Sequence, residues 1–239
     1  MKRIFAGLLI LILTLGLTAC GGSDAETEAL GEPVRTPDGE TFRSIAGELL
    51  PLENYELTEY PTGSCQYNKQ TSTIERISLE VRLDQTLLTA PWTLDQMTGT
   101  GWTENVSDSQ SPSMGNQSGF SNGEGHHVIV ARRKGKDDAI DMIRLQYGSV
   151  MDDSTQDRYN APTLEIAVAG RGTLTENSDL RQIISVLGEP YSLAFGAGIP
   201  DVQPHPQVEL SFGFENCSIQ MKLNGDTGKL CSLQIQFHD

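Results

Sequence analysis

Cations are scarce in this 239-residue chain: 17 Lys and Arg stand against 32 Asp and Glu, for a formal net charge of −15. Phosphate backbones are gripped by Lys and Arg, so nucleic acid is excluded as a partner. A polybasic hold on anionic lipid is excluded on the same ground. The acid surplus reads as solubility outside the cell. Cysteine is scarce too, with four residues, which rules out a disulfide scaffold and leaves stabilisation to a hydrophobic core. No cysteine pair has zinc spacing. A run long enough to span a bilayer is also missing. The apolar stretch Ile4 to Leu17 has about 14 residues, where a helix crossing about 30 Å of hydrocarbon needs about 20.

That short run has a different use. Lys2 and Arg3 precede it, and small residues Thr18 and Ala19 follow it, which are the parts of a secretory signal. Leu17-Thr18-Ala19-Cys20 resembles the lipobox of bacterial lipoproteins. The resemblance implies that residues 1–19 are removed and that Cys20 receives a thioether-linked diacylglycerol as the mature N-terminus. Each buried CH₂ contributes about 0.8 kcal/mol, so two acyl chains anchor stably where one is marginal. The expected partner there is the lipid bilayer, through acylated Cys20. The expected location is the outer face of the cell membrane, or the outer membrane in a Gram-negative cell, since Gly21-Gly22-Ser23 has no Asp directly after the Cys to signal inner-membrane retention. Cys65, Cys217 and Cys231 then remain, enough for one intramolecular disulfide at most.

Residues 20–40 are rich in Gly, Pro and acids and predict a disordered tether. Phe42, Ile45 and Leu49 have near-helical spacing, stopped by Pro51. Ile77, Leu79, Val81 and Leu83 alternate with polar residues, as a strand over a core does. Thr93 and Gln96 have capping-box spacing, with Trp92 and Met97 placed for a hydrophobic staple, and Gly99 and Gly101 end that helix early. Val128 to Arg133 and Ile140 to Tyr147 read as strands around a Lys134–Asp138 turn.

The pattern then recurs. Leu164, Ile166 and Val168 repeat Ile77, Leu79 and Val81 at 87 positions, as Thr173-Leu174 repeat Thr86-Leu87. A helix capped by Ser178 follows, with Leu180, Ile183, Ile184 and Leu187 on one face, and Gly188 and Pro190 stop it. Three strands end the chain, the last two joined by a turn in "NGDTG". The fold class expected is α+β: two tandem related modules, 41–160 and 161–239, each a strand, a helix and an antiparallel strand meander. The second module, through "SDLRQIISVLGEP" and its strands, weakly resembles the small α+β units of the BamE/SmpA-like and beta-lactamase-inhibitor-like families. That resemblance implies binding without catalysis and carries no functional residue.

No motif commits the chain to chemistry. Gly119 to Gly123 fits G-x-S-x-G, but a nucleophile elbow needs a helix after Ser121, and a strand is expected there. His126 and His127 are adjacent, so on a strand they point to opposite faces; His205 and His238 are isolated. No metal and no cofactor is expected. Cys217 and Cys231 fall on the apolar side of their strands as buried thiols, too far apart along the hairpin to bond if Cys231 faces Met221.

Two binding surfaces are expected. One is the long loop after the second helix, with Tyr191, Phe195 and Ile199 as apolar anchors; an equivalent loop spans roughly Thr103 to Gly125. The other is an outer sheet face carrying Ser218, Gln220, Lys222, Ser232, Gln234, Gln236 and His238 as a polar docking face. The whole reads as a non-enzymatic lipoprotein outside the cell that binds a protein or cell-envelope component. The alternative is an envelope-associated hydrolase whose site is assembled only by folding.

Overall fold

The computed structural model describes residues 40–238 except 62, 72, 73, 75, 78, 106–115, 134, 150–159 and 199–204. Cys20 and the stretches expected to form a signal peptide and a tether, apart from Glu40, lie outside the described residues, as do Ile199 and the middle of the first long loop.

Helix α1, Glu40–Leu49, buries Phe42 and Ala46 and is broken by Pro51, whose ring and missing N–H cannot continue it. A 3₁₀ turn, Leu52–Asn54, leads to a hairpin of β1, Tyr55–Glu59, and β2, Cys65–Lys69. The first half of the remaining chain runs β3 (Leu79–Leu83), β4 (Thr86–Leu88), α2 (Leu94–Thr98), β5 (Thr103–Asn105), β6 (Gln117–Ser121), β7 (His127–Arg133) and β8 (Lys136–Gln146). The second runs β9 (Leu164–Val168), β10 (Gly172–Thr175), α3 (Leu180–Leu187), β11 (Ser192–Gly196), β12 (Gln207–Gly213), β13 (Cys217–Asn224) and β14 (Leu230–Phe237).

The α+β expectation does not hold. The described chain is mostly β, with fourteen strands in two antiparallel sheets and three α-helices. The large sheet has the order β1-β2-β11-β12-β13-β14-β8-β7-β6-β5, and the small one β10-β9-β3-β4. Each half opens with a hairpin where one strand was expected, and the stretch after each helix contains a strand, β5 or β11. Nor are the halves self-contained strand-helix-meander modules. β8 pairs with β14 and β3 with β9, so each half contributes strands to both sheets.

Strand order reads the same outward from the two central pairs. In the large sheet Leu233 faces Leu145, Gln234 faces Arg144, and Ile235 faces Ile143, so Gln234 and Arg144 sit at a local two-fold. The correspondence differs from that expected. Leu79, Val81 and Leu83 face Val168, Ile166 and Leu164, and all six are buried. In the second strand of each hairpin Leu88 and Leu174 are buried, while Leu87 is 41 % exposed. Leu87 therefore cannot be the structural equivalent of Leu174.

Inward residues of both sheets and α3 form one core, including Val81, Ile166, Ile183, Ile143, Ile219 and Ile235. Trp92 stacks on Phe237 with ring centroids 4.1 Å apart. The capping box falls on α3 and not on α2. Asp179 accepts from the Gln182 N–H at 2.8 Å, and Gln182 Oε1 accepts from the Asp179 N–H at 3.1 Å, satisfying two open helix donors. Ser178, the expected cap, accepts from the Thr175 N–H. Thr93 makes no cap bond; it is extended and bridges to Ala139. Gln96 instead folds back to donate to the carbonyls of Thr89 and Pro91. The β7–β8 turn is tighter than expected, since Lys136 to Asp138 already belong to β8.

Candidate functional site

Alternation along β13 turns Cys217, Ile219, Met221 and Leu223 inward and Ser218, Gln220 and Lys222 outward. Pairing aligns the outward residues into rows across the large sheet. One row is Glu209, Lys222, Ser232, Gln146; the next is Ser211, Gln220, Gln234, Arg144. Lys222, Ser232 and Gln146 of the first row and Gln220, Gln234 and Arg144 of the second line a groove of about 470 Å³, which Gln207, Ser149, Cys231 and Leu233 also border.

Hydrogen bonds fix the groove's side chains. Arg144 donates Nε–H and one Nη–H to Gln234 Oε1 at 3.1 and 2.9 Å. Glu209 accepts from Gln220 Nε2 at 2.5 Å and from Gln207 Nε2 at 3.4 Å, and pairs with Lys222 Nζ at 3.4 Å. A guanidinium has no acceptor and a carboxylate no donor, so the orientation of both glutamine amides is dictated. Gln236 and His238 belong to the same face but stand outside the groove. Gln236 donates to Asp141 at 3.1 Å; exposed His238 lies just past β14, its N–H on the Asn216 carbonyl.

Two residues of the other expected surface, Tyr191 and Phe195, are described. Phe195 lies in β11, 3 % exposed, with its ring 6.0 Å from Phe42 and 6.3 Å from Tyr67. It is core. Tyr191 keeps a half-exposed ring, but its N–H and carbonyl are bonded to Ser211 and Lys69. Alternation over five residues, SLAFG, was too short and too rich in small residues to stand out as a strand.

Cys231 is buried but stands outside the continuous hydrophobic core. Met221 faces Leu233, and a register shift between Lys222 and Leu223 makes Cys231 an extra residue of a β-bulge. Cys65, Cys217 and Cys231 are free and buried. Burial pushes the Cys217 thiol up to about 12 and the Cys231 thiol up to about 11.

A second constellation was invisible in sequence. Asp84, in the β3–β4 turn with φ 51°, accepts on Oδ2 from Asn122 Nδ2 and faces His126 Nδ1, each at 2.8 Å. Its Oδ1 accepts from the Thr163 N–H at 2.9 Å and hydroxyl at 3.0 Å. Burial alone would raise this carboxyl, but the hydrogen bonds from His126 and Thr163 outweigh it and hold it below the ordinary carboxylate range. Glu124 lies 3.7 Å from His126 Nδ1, giving three groups close enough for one cation. The Asp84 oxygens already receive four donors, so a metal would have to displace them. The knot ties the β3–β4 turn to the β6–β7 turn and to the entry of β9. Ser121 donates to Asn105 and is followed by a turn and β7, not a helix, so no nucleophile elbow forms.

Among the described residues no helix is long and apolar enough to cross a membrane. No family model, curated protein or solved structure matches the chain.

Proposed function

We propose that this chain is an exported lipoprotein, anchored through acylated Cys20, that binds a protein or cell-envelope component without catalysing a reaction. The lipobox resemblance supports the anchor. The observation that carries the binding reading is the groove on the outer face of the large sheet. Its side chains are polar, ordered by mutual hydrogen bonds, and set on the two central strands and their neighbours, where a rigid scaffold positions them. The second reading, an envelope hydrolase, rests on the Asp84–His126 pair, since a carboxylate that orients an imidazole is half of a general-base device.

Palmitate labelling and fractionation of wild type and Cys20→Ala test the anchor. Labelled, membrane-held protein is expected for wild type only, and a Cys20→Ala variant that still labels would end the lipoprotein reading. Pull-down from the native envelope with wild type and Gln220→Ala/Gln234→Ala tests the binding face. Loss of one reproducible partner is expected in the double variant and not in His126→Ala. Loss in His126→Ala alone would favour the hydrolase reading.

A further inference from the structure

We infer that the groove takes an acidic peptide of about four residues, lying across the strands with a carboxylate on Arg144. This names a ligand class for the binding face proposed above and rests on that reading. Four features converge on it. First, Arg144 carries an unneutralised charge: among the described residues it bonds only the neutral amide oxygen of Gln234, in a chain with 32 acids to 17 bases. A guanidinium is the side chain best matched to a carboxylate. Second, the other cation at the groove is already balanced, because Lys222 pairs with Glu209. The charge on offer is thus localised at the Arg144 end of the groove.

Third, the two central amides offer opposite polarity. Gln220 spends its N–H on Glu209, so its carbonyl oxygen remains to accept. Gln234 spends its oxygen on Arg144, so its N–H₂ remains to donate. One acceptor and one donor on adjacent strands, about 4.8 Å apart, match the N–H and C=O of a peptide backbone and not an inorganic anion. Fourth, the size agrees. The groove crosses β12, β13, β14 and β8, about 14 Å at that spacing, and an extended peptide covers the same length in about four residues.

The probe is acetyl-tetraglutamate amide, titrated into the soluble chain lacking the signal peptide and followed by the NMR side-chain amide signals of Gln220 and Gln234. Neutral acetyl-tetraglutamine amide and inorganic phosphate are run beside it. Saturable shifts are expected with tetraglutamate, with affinity at least tenfold weaker in Arg144→Gln and nearly unchanged in Arg181→Gln, an exposed cation on α3 away from the groove. Arg144→Gln keeps a donor for Gln234, and an unchanged melting temperature will show that it folds. Equal affinity in Arg144→Gln, absence of saturation, or phosphate binding as tightly as the peptide would each overturn the peptide assignment. If it is overturned while Gln220→Ala/Gln234→Ala still loses its envelope partner, the ligand class is wrong and the binding face stands. If that partner is kept too, both fail.

Discussion

The outer face of the large sheet is polar on one side of its central strand pair and apolar on the other. Outward from Gln234, the second half presents Gln220 and Ser211, with Lys222 and Ser232 in the adjoining row. At the matching positions outward from Arg144, the first half presents Ile129 and Gly119, with Ala131 and Met142. Ala131 and Met142 are each 4 % exposed. On the inner side the halves are alike: Ile143 and Ile235 face each other at 0 % exposure. One strand plan therefore supports two surfaces, because the pleat fixes which side a residue takes and leaves its chemistry open on the side that the core does not constrain. Arg144 stands at the boundary, where the polar side has room for a ligand.

The sharpest test of inner equivalence is the central pair. Ile143→Ala and Ile235→Ala each remove a buried branched side chain and should cost about 2–5 kcal/mol. Urea unfolding should return similar losses for both; a single dominant loss would break the equivalence. The outer face should answer differently. Met142→Ser is expected to cost about 2 kcal/mol, as truncation of a buried side chain does. The reciprocal Ser232→Met should stay within about 0.5 kcal/mol, as surface changes do. Equal effects would mean that the two sides are not distinct.

The hairpins of the small sheet differ as well. The β3–β4 turn is held by Asp84, whereas the β9–β10 turn passes through Gly170 at φ +77°. Asp84→Asn puts a donor among the donors of Asn122 and Thr163 and should cost about 1–2 kcal/mol at neutral pH. The Asp84 carboxyl is held below its unfolded value of about 3.9. Its contribution is thus present above that pH and is lost as pH falls through the depressed folded value. The gap between wild type and Asp84→Asn should narrow below about pH 4. A gap that widens on acidification would show that Asp84 does not act as a carboxylate acceptor.

Much of this was legible where alternation runs long. β3, β9, β13 and β14, the apolar face of α3 and its stop at Gly188, and the outward set Ser218, Gln220 and Lys222 all follow from local periodicity and punctuation. β5 and β11 did not, because three and five residues give alternation too few steps to declare itself. The balance of helix and strand was misjudged for the same reason: Thr86–Leu88 and Gly172–Thr175 read as connections and are strands. The repeat was visible, but a slip in its alignment set exposed Leu87 against buried Leu174. The Asp84 knot and the Arg144–Gln234 pair depend on partners 38 to 90 positions away in sequence, which no local pattern encodes.

The smallest expected effect compares two thiols. Cys217 is on the inner face opposite Phe237, and Cys231 is the bulge residue beside the groove. They lie at opposite ends of the hairpin, about 17 Å apart at about 3.3 Å per residue, where a disulfide needs Cα atoms within about 7 Å. Both thiols are raised by burial, to about 12 and about 11, so little of either is thiolate at pH 8, and the thiolate is the nucleophile. Iodoacetamide should therefore alkylate both slowly in the native protein and rapidly on unfolding, with Cys231 ahead of Cys217. Saturating acetyl-tetraglutamate amide should slow Cys231 severalfold and leave Cys217 unchanged, because only Cys231 borders the groove. Peptide mapping by mass spectrometry reads both rates at once. Equal protection of the two thiols would point to global stabilisation in place of groove occupancy, and a Cys217–Cys231 disulfide would refute the register on which the polar rows depend.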